Sequence, residues 1–97
     1  MIFLNITMES AAKAKHICNN IIKNIYSDYK NKQHRNATPE EARANVDDLV
    51  GIELLLKRIY DRQNITVQEI LETSTDYQTI NTLIGRLVDR RDATLIE

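Results

Sequence analysis

Two carboxylates and an amide near the middle of the chain have the types and spacing to hold a divalent cation. Glu41, Asn45 and Asp48 are four and three residues apart, which puts their oxygens on one face of a helix, with Asp47 adjacent and Glu53 inside the apolar run that follows. Magnesium is a hard cation, and a helical bundle holds it with anionic oxygens that converge from facing helices. Glu53 also has a plainer role open to it, because Lys57 follows four residues later in the favourable orientation for a helical ion pair.

A second constellation is basic. Lys30-Asn31-Lys32-Gln33-His34-Arg35 is the densest cationic stretch, and such a loop neutralises phosphates when it meets a nucleic-acid backbone. No aromatic platform interleaves these charges and no helix-turn-helix signal is evident, so a solvated interhelix loop explains the stretch with fewer assumptions. Lys30, Lys32, His34 and Arg35 are therefore expected to touch a partner, with protein favoured over nucleic acid.

The remaining reactive types point to structure. His16 and His34 have no Cys or second His at metal-ligand spacing. Cys18 falls within an apolar stripe and reads as a small core residue. Gly51 and Gly85 are the only glycines and both lie inside expected helices, which excludes a glycine-rich phosphate loop.

The elements that position these groups follow from periodicity and capping chemistry. Residues 2–6 crowd Ile, Phe, Leu and Ile before Thr7 and read as a short extended arm. From there to about Asn31, apolar residues from Ala11 to Tyr29 recur at helical intervals, with Lys13, Lys15, Lys23 and several Asn opposite. Thr38-Pro39-Glu40-Glu41 is a capping box with proline at the first helical position, and it opens a second helix to Tyr60 or Asp61. Val46, Leu49, Val50, Ile52, Leu54, Leu55, Leu56, Ile59 and Tyr60 cover more than one face of that helix, which places it centrally. Thr66-Val67-Gln68-Glu69 repeats the box, with Ile65 and Ile70 set for a hydrophobic staple, and predicts a short third helix ending near Glu72. Thr75-Asp76-Tyr77-Gln78 reads as a third box, opening a fourth helix to about Arg91. Gly85 within it marks either a close helix contact or a neutral position, and the Leu95-Ile96 tail can dock or fray. No internal repeat or low-complexity segment is evident. The expected fold is all-α, a four-helix bundle-like single domain with two long helices, two short ones and a short N-terminal extended arm.

Composition agrees. Two Gly and one Pro in 97 residues leave little turn chemistry for a β-sandwich or barrel, and 42% hydrophobic content suits an ordinary globular chain. A net charge of −1 excludes bulk attraction to nucleic acid or anionic lipid. The charge is nevertheless polarised, since residues 1–37 carry six Lys or Arg against two acids. One cysteine fits a reducing compartment, and neither an export signal nor a membrane span is evident, so a cytoplasmic location is expected. So short a chain has a marginal core and often gains stability by pairing, which makes a homodimer an expectation.

The run from Asn45 through Asp48 to Leu56, followed by a final helix ending Arg86-Leu-Val-Asp-Arg-Arg91, resembles the latter part of the all-α MazG-like nucleoside triphosphate pyrophosphatases. Those enzymes pair a Glu-Glu-x-x-Glu helix with a Glu-x-x-Asp helix to hold magnesium against a triphosphate. Laid on residues 16–91, the first motif falls at Asn19, Asn20 and Lys23 and the second at Asn45 and Asp48, so only Asp48 is retained. Two amides and an ammonium in place of carboxylates remove the charge that binds the ion. The resemblance thus implies either an enzyme that relies on Asp48 with Glu41 and Glu53 or an inactive relative.

The reading that needs the fewest assumptions is a small non-catalytic helical protein that regulates or inhibits another protein, of the kind phages and mobile elements encode. It has no expected cofactor or metal. Magnesium-dependent pyrophosphate release and nucleic-acid binding through residues 30–35 are the alternatives.

Overall fold

The computed structural model describes residues 2–27 and 34–96. Three helices carry nearly all of them: α1 (Ile2–Ser27), α2 (Pro39–Asp61) and α3 (Val67–Ala93). The chain is all-α, and the described residues form no strand beyond one isolated antiparallel bridge between His34 and Leu95. No helix is long and apolar enough to cross a membrane among the residues described.

Both capping boxes that bound the hairpin form as the sequence implies. Thr38 Oγ1 accepts from the Glu41 N–H at 3.1 Å while Glu41 Oε1 accepts from the Thr38 N–H at 2.9 Å, and Thr66 and Glu69 do the same at 3.1 and 3.2 Å. Asn64 takes the left-handed conformation in the connection, with φ of 55°, a geometry that asparagine tolerates better than most residues.

Two expected boundaries are absent. The short third and fourth helices are one continuous α3, so the fold has three helices instead of four. Thr75 does not cap a new helix: its hydroxyl donates to the Leu71 carbonyl at 3.1 Å, one turn back in the same ladder, and Thr79 and Thr82 bond Thr75 and Gln78 in the same way. With no Gly or Pro between Glu72 and Tyr77, nothing interrupts the backbone bonds. The expected arm at residues 2–6 is likewise the first part of α1, because no breaker separates it from the helical run and its weak β preference yields to an existing ladder.

Ala14, Cys18 and Ile25 of α1 meet Ile52, Leu56 and Ile59 of α2 and Ile80 and Leu87 of α3 in one core. Helix α2 is central, packing against both α1 and α3. A Cβ on Gly51 would stand 3.2 Å from Leu83 Cδ1, so the α2–α3 approach is close there, whereas Gly85 has open space around it. The tail docks: the Arg35 N–H donates to the Thr94 carbonyl at 2.8 Å, and Leu95 is half-buried.

Superposed on this architecture is an internal repeat that a reading of the bare sequence misses. Residues Thr38, Glu41, Asp48, Ile52, Leu55, Arg58, Asp61 and Arg62 recur 28 positions later as Thr66, Glu69, Asp76, Ile80, Leu83, Arg86, Asp89 and Arg90. The retained positions include both caps, paired core residues and the aspartates and arginines that join α2 to α3, whereas Glu72, which also pairs with Arg62 at 3.6 Å, has Ala44 as its counterpart. Because the helices run antiparallel, equal positions are related by a local two-fold axis that passes between Leu55 and Leu83.

Candidate functional site

The repeat produces two matching polar clamps. At one end of the hairpin, buried Asp48 of α2 ion-pairs with Arg90 Nη1 at 2.6 Å and Arg86 Nε at 3.5 Å from α3, and Arg90 Nη1 donates a hydrogen bond to Asn45 Oδ1 at 3.1 Å. At the other end, buried Asp76 of α3 ion-pairs with Nη1 of Arg62, the residue that caps α2, at 2.7 Å and with Arg58 Nε of α2 at 3.9 Å, and Arg62 Nη1 donates to Thr73 Oγ1 at 3.1 Å. Thr73 in turn donates to Asn64 Oδ1 at 2.9 Å, which fastens the left-handed turn to the second clamp. In each clamp one guanidinium is mostly covered and the other lies largely in water, at 19% and 57% exposure around Asp48 and at 12% and 60% around Asp76.

This geometry disperses the carboxylates that the sequence suggested as magnesium ligands. Asn45 and Asp48 are both held by Arg90, while Glu41 is gripped by Arg35 through two bonds of 2.7 and 3.0 Å. Glu53 faces α1, where it lines a shallow cavity of about 170 Å³ with Lys15 and Cys18, and it makes no ion pair with Lys57. Among the described residues no group of three His, Cys, Asp or Glu is placed to hold a metal ion. Arginine occupies the position that an ion would need, so the residues present do not fit a magnesium site. His16 receives the Asn20 amide at 3.3 Å, and buried Cys18 has its thiol pKa pushed up by burial first and by the Glu53 charge second.

Of the four residues expected to touch a partner, Lys30 and Lys32 lie outside the described residues. His34 and Arg35 border a cleft of about 300 Å³, with Glu41, Asn45, Arg90 and Arg91 around it. Its charges are largely matched within the chain. His34 Nδ1 is hydrogen-bonded to Thr94 Oγ1 at 2.9 Å, Arg91 Nη1 donates to the Ile25 carbonyl at 2.7 Å, and Arg35 is neutralised by Glu41. Arg35 and the Thr38 N–H together hold the Glu41 carboxyl down to about 2 from an ordinary 4.5. The cleft ties the loop to the end of α3, and a phosphate entering it competes with carboxylates already in place.

Large apolar side chains are more available than these charges. Ile65, Val67, Ile70 and Leu71 surround the α2–α3 turn at 52–74% exposure, and Val46, Val50 and Leu54 run along the outer side of α2 at 48–58%. Their apolar character alone suggests burial, and only the packing reveals that both groups are left outside. No family model, curated protein or solved structure matches this chain.

Proposed function

We propose that this chain is a non-catalytic helical protein that acts by binding another protein, as a regulator or inhibitor does, with the apolar tip at the α2–α3 turn as its contact surface. The observation that supports this most directly is the tip itself. Four aliphatic side chains gather on one turn, and at the equivalent places one repeat earlier the chain has Ala37, Pro39, Ala42 and Arg43. The fold builds its helix start in both places, so capping does not require the large side chains of the second copy. A contiguous exposed apolar patch commonly marks a protein contact. The charged groups favour the same reading, because Asp48, Asp76 and Glu41 are each engaged by arginine and are not free to do acid–base or metal chemistry.

The test is paired. A thermal-shift screen with magnesium and nucleoside triphosphates is expected to give no stabilisation, since a ligand bound by the native state alone raises the melting point. Capture of a binding protein from host extract is expected with the native chain and lost with Ile70→Asp, whose helicity should be unchanged. Hydrolysis of nucleoside triphosphates at ordinary enzymatic rates would overturn this function.

A further inference from the structure

The repeat supplies an internal control for the outer side of α2. Val46, Val50 and Leu54 correspond to Ser74, Gln78 and Thr82 of α3, so a stripe that is polar in one copy is apolar in the other, while the buried aspartate recurs and the buried apolar positions stay apolar. The polar version faces water, as an outward helix face should. The apolar version lies opposite the core positions Ile52, Leu56 and Ile59, and α1 and α3 only border it, leaving its three side chains 48–58% exposed.

We infer that this stripe is the contact between two copies of the chain, with α2 packed antiparallel on its symmetry mate about an axis between Ile52 and Glu53. Charge placement selects that arrangement. Arg43 precedes the apolar stripe, Asp47 lies beside its first residue, and Arg58 and Asp61 follow it, all four exposed. Reversing one copy brings Arg43 opposite Asp61 of the other and Asp47 opposite Arg58, and the two-fold makes each pair twice. A parallel arrangement sets like charges against like. Arg43, Asp47 and Asp61 ion-pair with no described residue of their own chain and are available to a second copy, while Arg58, 60% exposed, would be shared between that copy's Asp47 and its own Asp76 at 3.9 Å.

The same axis sets Leu54 of each copy opposite Gly51 of the other. Gly51 borders an apolar groove of about 570 Å³ between α2 and α3, with Leu55, Thr79 and Leu83 along it, which gives the incoming leucine a place to seat. An antiparallel dimer also directs the two apolar tips to opposite ends, leaving both open.

Light scattering on the full chain at tens of micromolar is expected to give twice the mass of 11.2 kDa. Leu54→Asp should weaken association by ~100-fold or more, because the symmetric contact loses both central leucines at once. Arg43→Asp and Asp61→Arg should each weaken it by about tenfold through like-charge contact, and the double swap should restore it. Both swaps suit the helix dipole, so neither is expected to reduce helicity, which circular dichroism verifies. A monomeric mass at every concentration, a dimer indifferent to Leu54→Asp, or charge swaps that add instead of compensating would each overturn the inference.

Discussion

Asp48 and Asp76 are the same residue in two copies of one 28-residue pattern: each is buried in its own helix and clasped by two arginines from the other. The clamps close the α2–α3 hairpin at both ends, with the apolar contacts of Ile52, Leu55, Ile80 and Leu83 between them. An aspartate engaged in this way orients two helices, and the matching pair gives the hairpin its register.

Removing either carboxylate charge should therefore destabilise the fold by about 2–3 kcal/mol. That is less than the full cost of breaking a buried ion pair, because one arginine of each clamp is largely in water. Urea denaturation of Asp48→Asn and Asp76→Asn measures it, and similar losses in both variants are expected. A metal ligand would behave differently: Asp48→Asn would then abolish a magnesium-dependent shift and leave stability without magnesium unchanged.

The sequence discloses the helices more readily than their relationships. Thr38 with Glu41 and Thr66 with Glu69 are legible because a capping box is local and both partners lie within one turn. Thr75 with Gln78 has the same pattern, but a threonine hydroxyl inside an unbroken helix can also bond the carbonyl four residues back, and only the continuing ladder decides between them. The repeat is hard to see because it survives only at scattered positions, the caps, the clamp charges and a few core residues, and is erased between them. Asp48 is conspicuous as a carboxylate, yet its partners Arg86 and Arg90 are distant in sequence and become neighbours only when α3 folds back.

Thr66→Ala and Thr75→Ala separate the two roles of threonine. The first removes a helix cap and should cost about 1 kcal/mol. The second replaces an exposed threonine within a helix by the best helix former and should be neutral or stabilising by a few tenths of a kcal/mol. Thermal denaturation followed by circular dichroism compares them directly, and a loss at Thr75 as large as that at Thr66 would restore a helix boundary between Glu72 and Tyr77.

Cys18 should resist modification while the chain is folded. The residue is 6% exposed, and burial together with Glu53 disfavours the reactive thiolate. A thiol-reactive dye at neutral pH is expected to label it slowly in buffer and rapidly in urea. The Glu53→Gln variant should label somewhat faster in buffer, since the neighbouring negative charge is gone while the burial remains.

Glu41 gives the fold a specific acid response. Its folded pKa of about 2 lies below the ordinary 4.5, so its contribution to stability is present above 4.5 and is lost as pH falls from there toward 2. Both partners of the Arg35 pair are partly exposed, which makes that contribution modest and sensitive to salt. Arg35→Ala should raise the Glu41 pKa without returning it to 4.5, because the Thr38 N–H still donates to the carboxylate at 2.9 Å. Titration of the Glu41 side chain by NMR reads both values. An unshifted Glu41 in the native chain would mean that neither the capping box nor the arginine pair persists in solution.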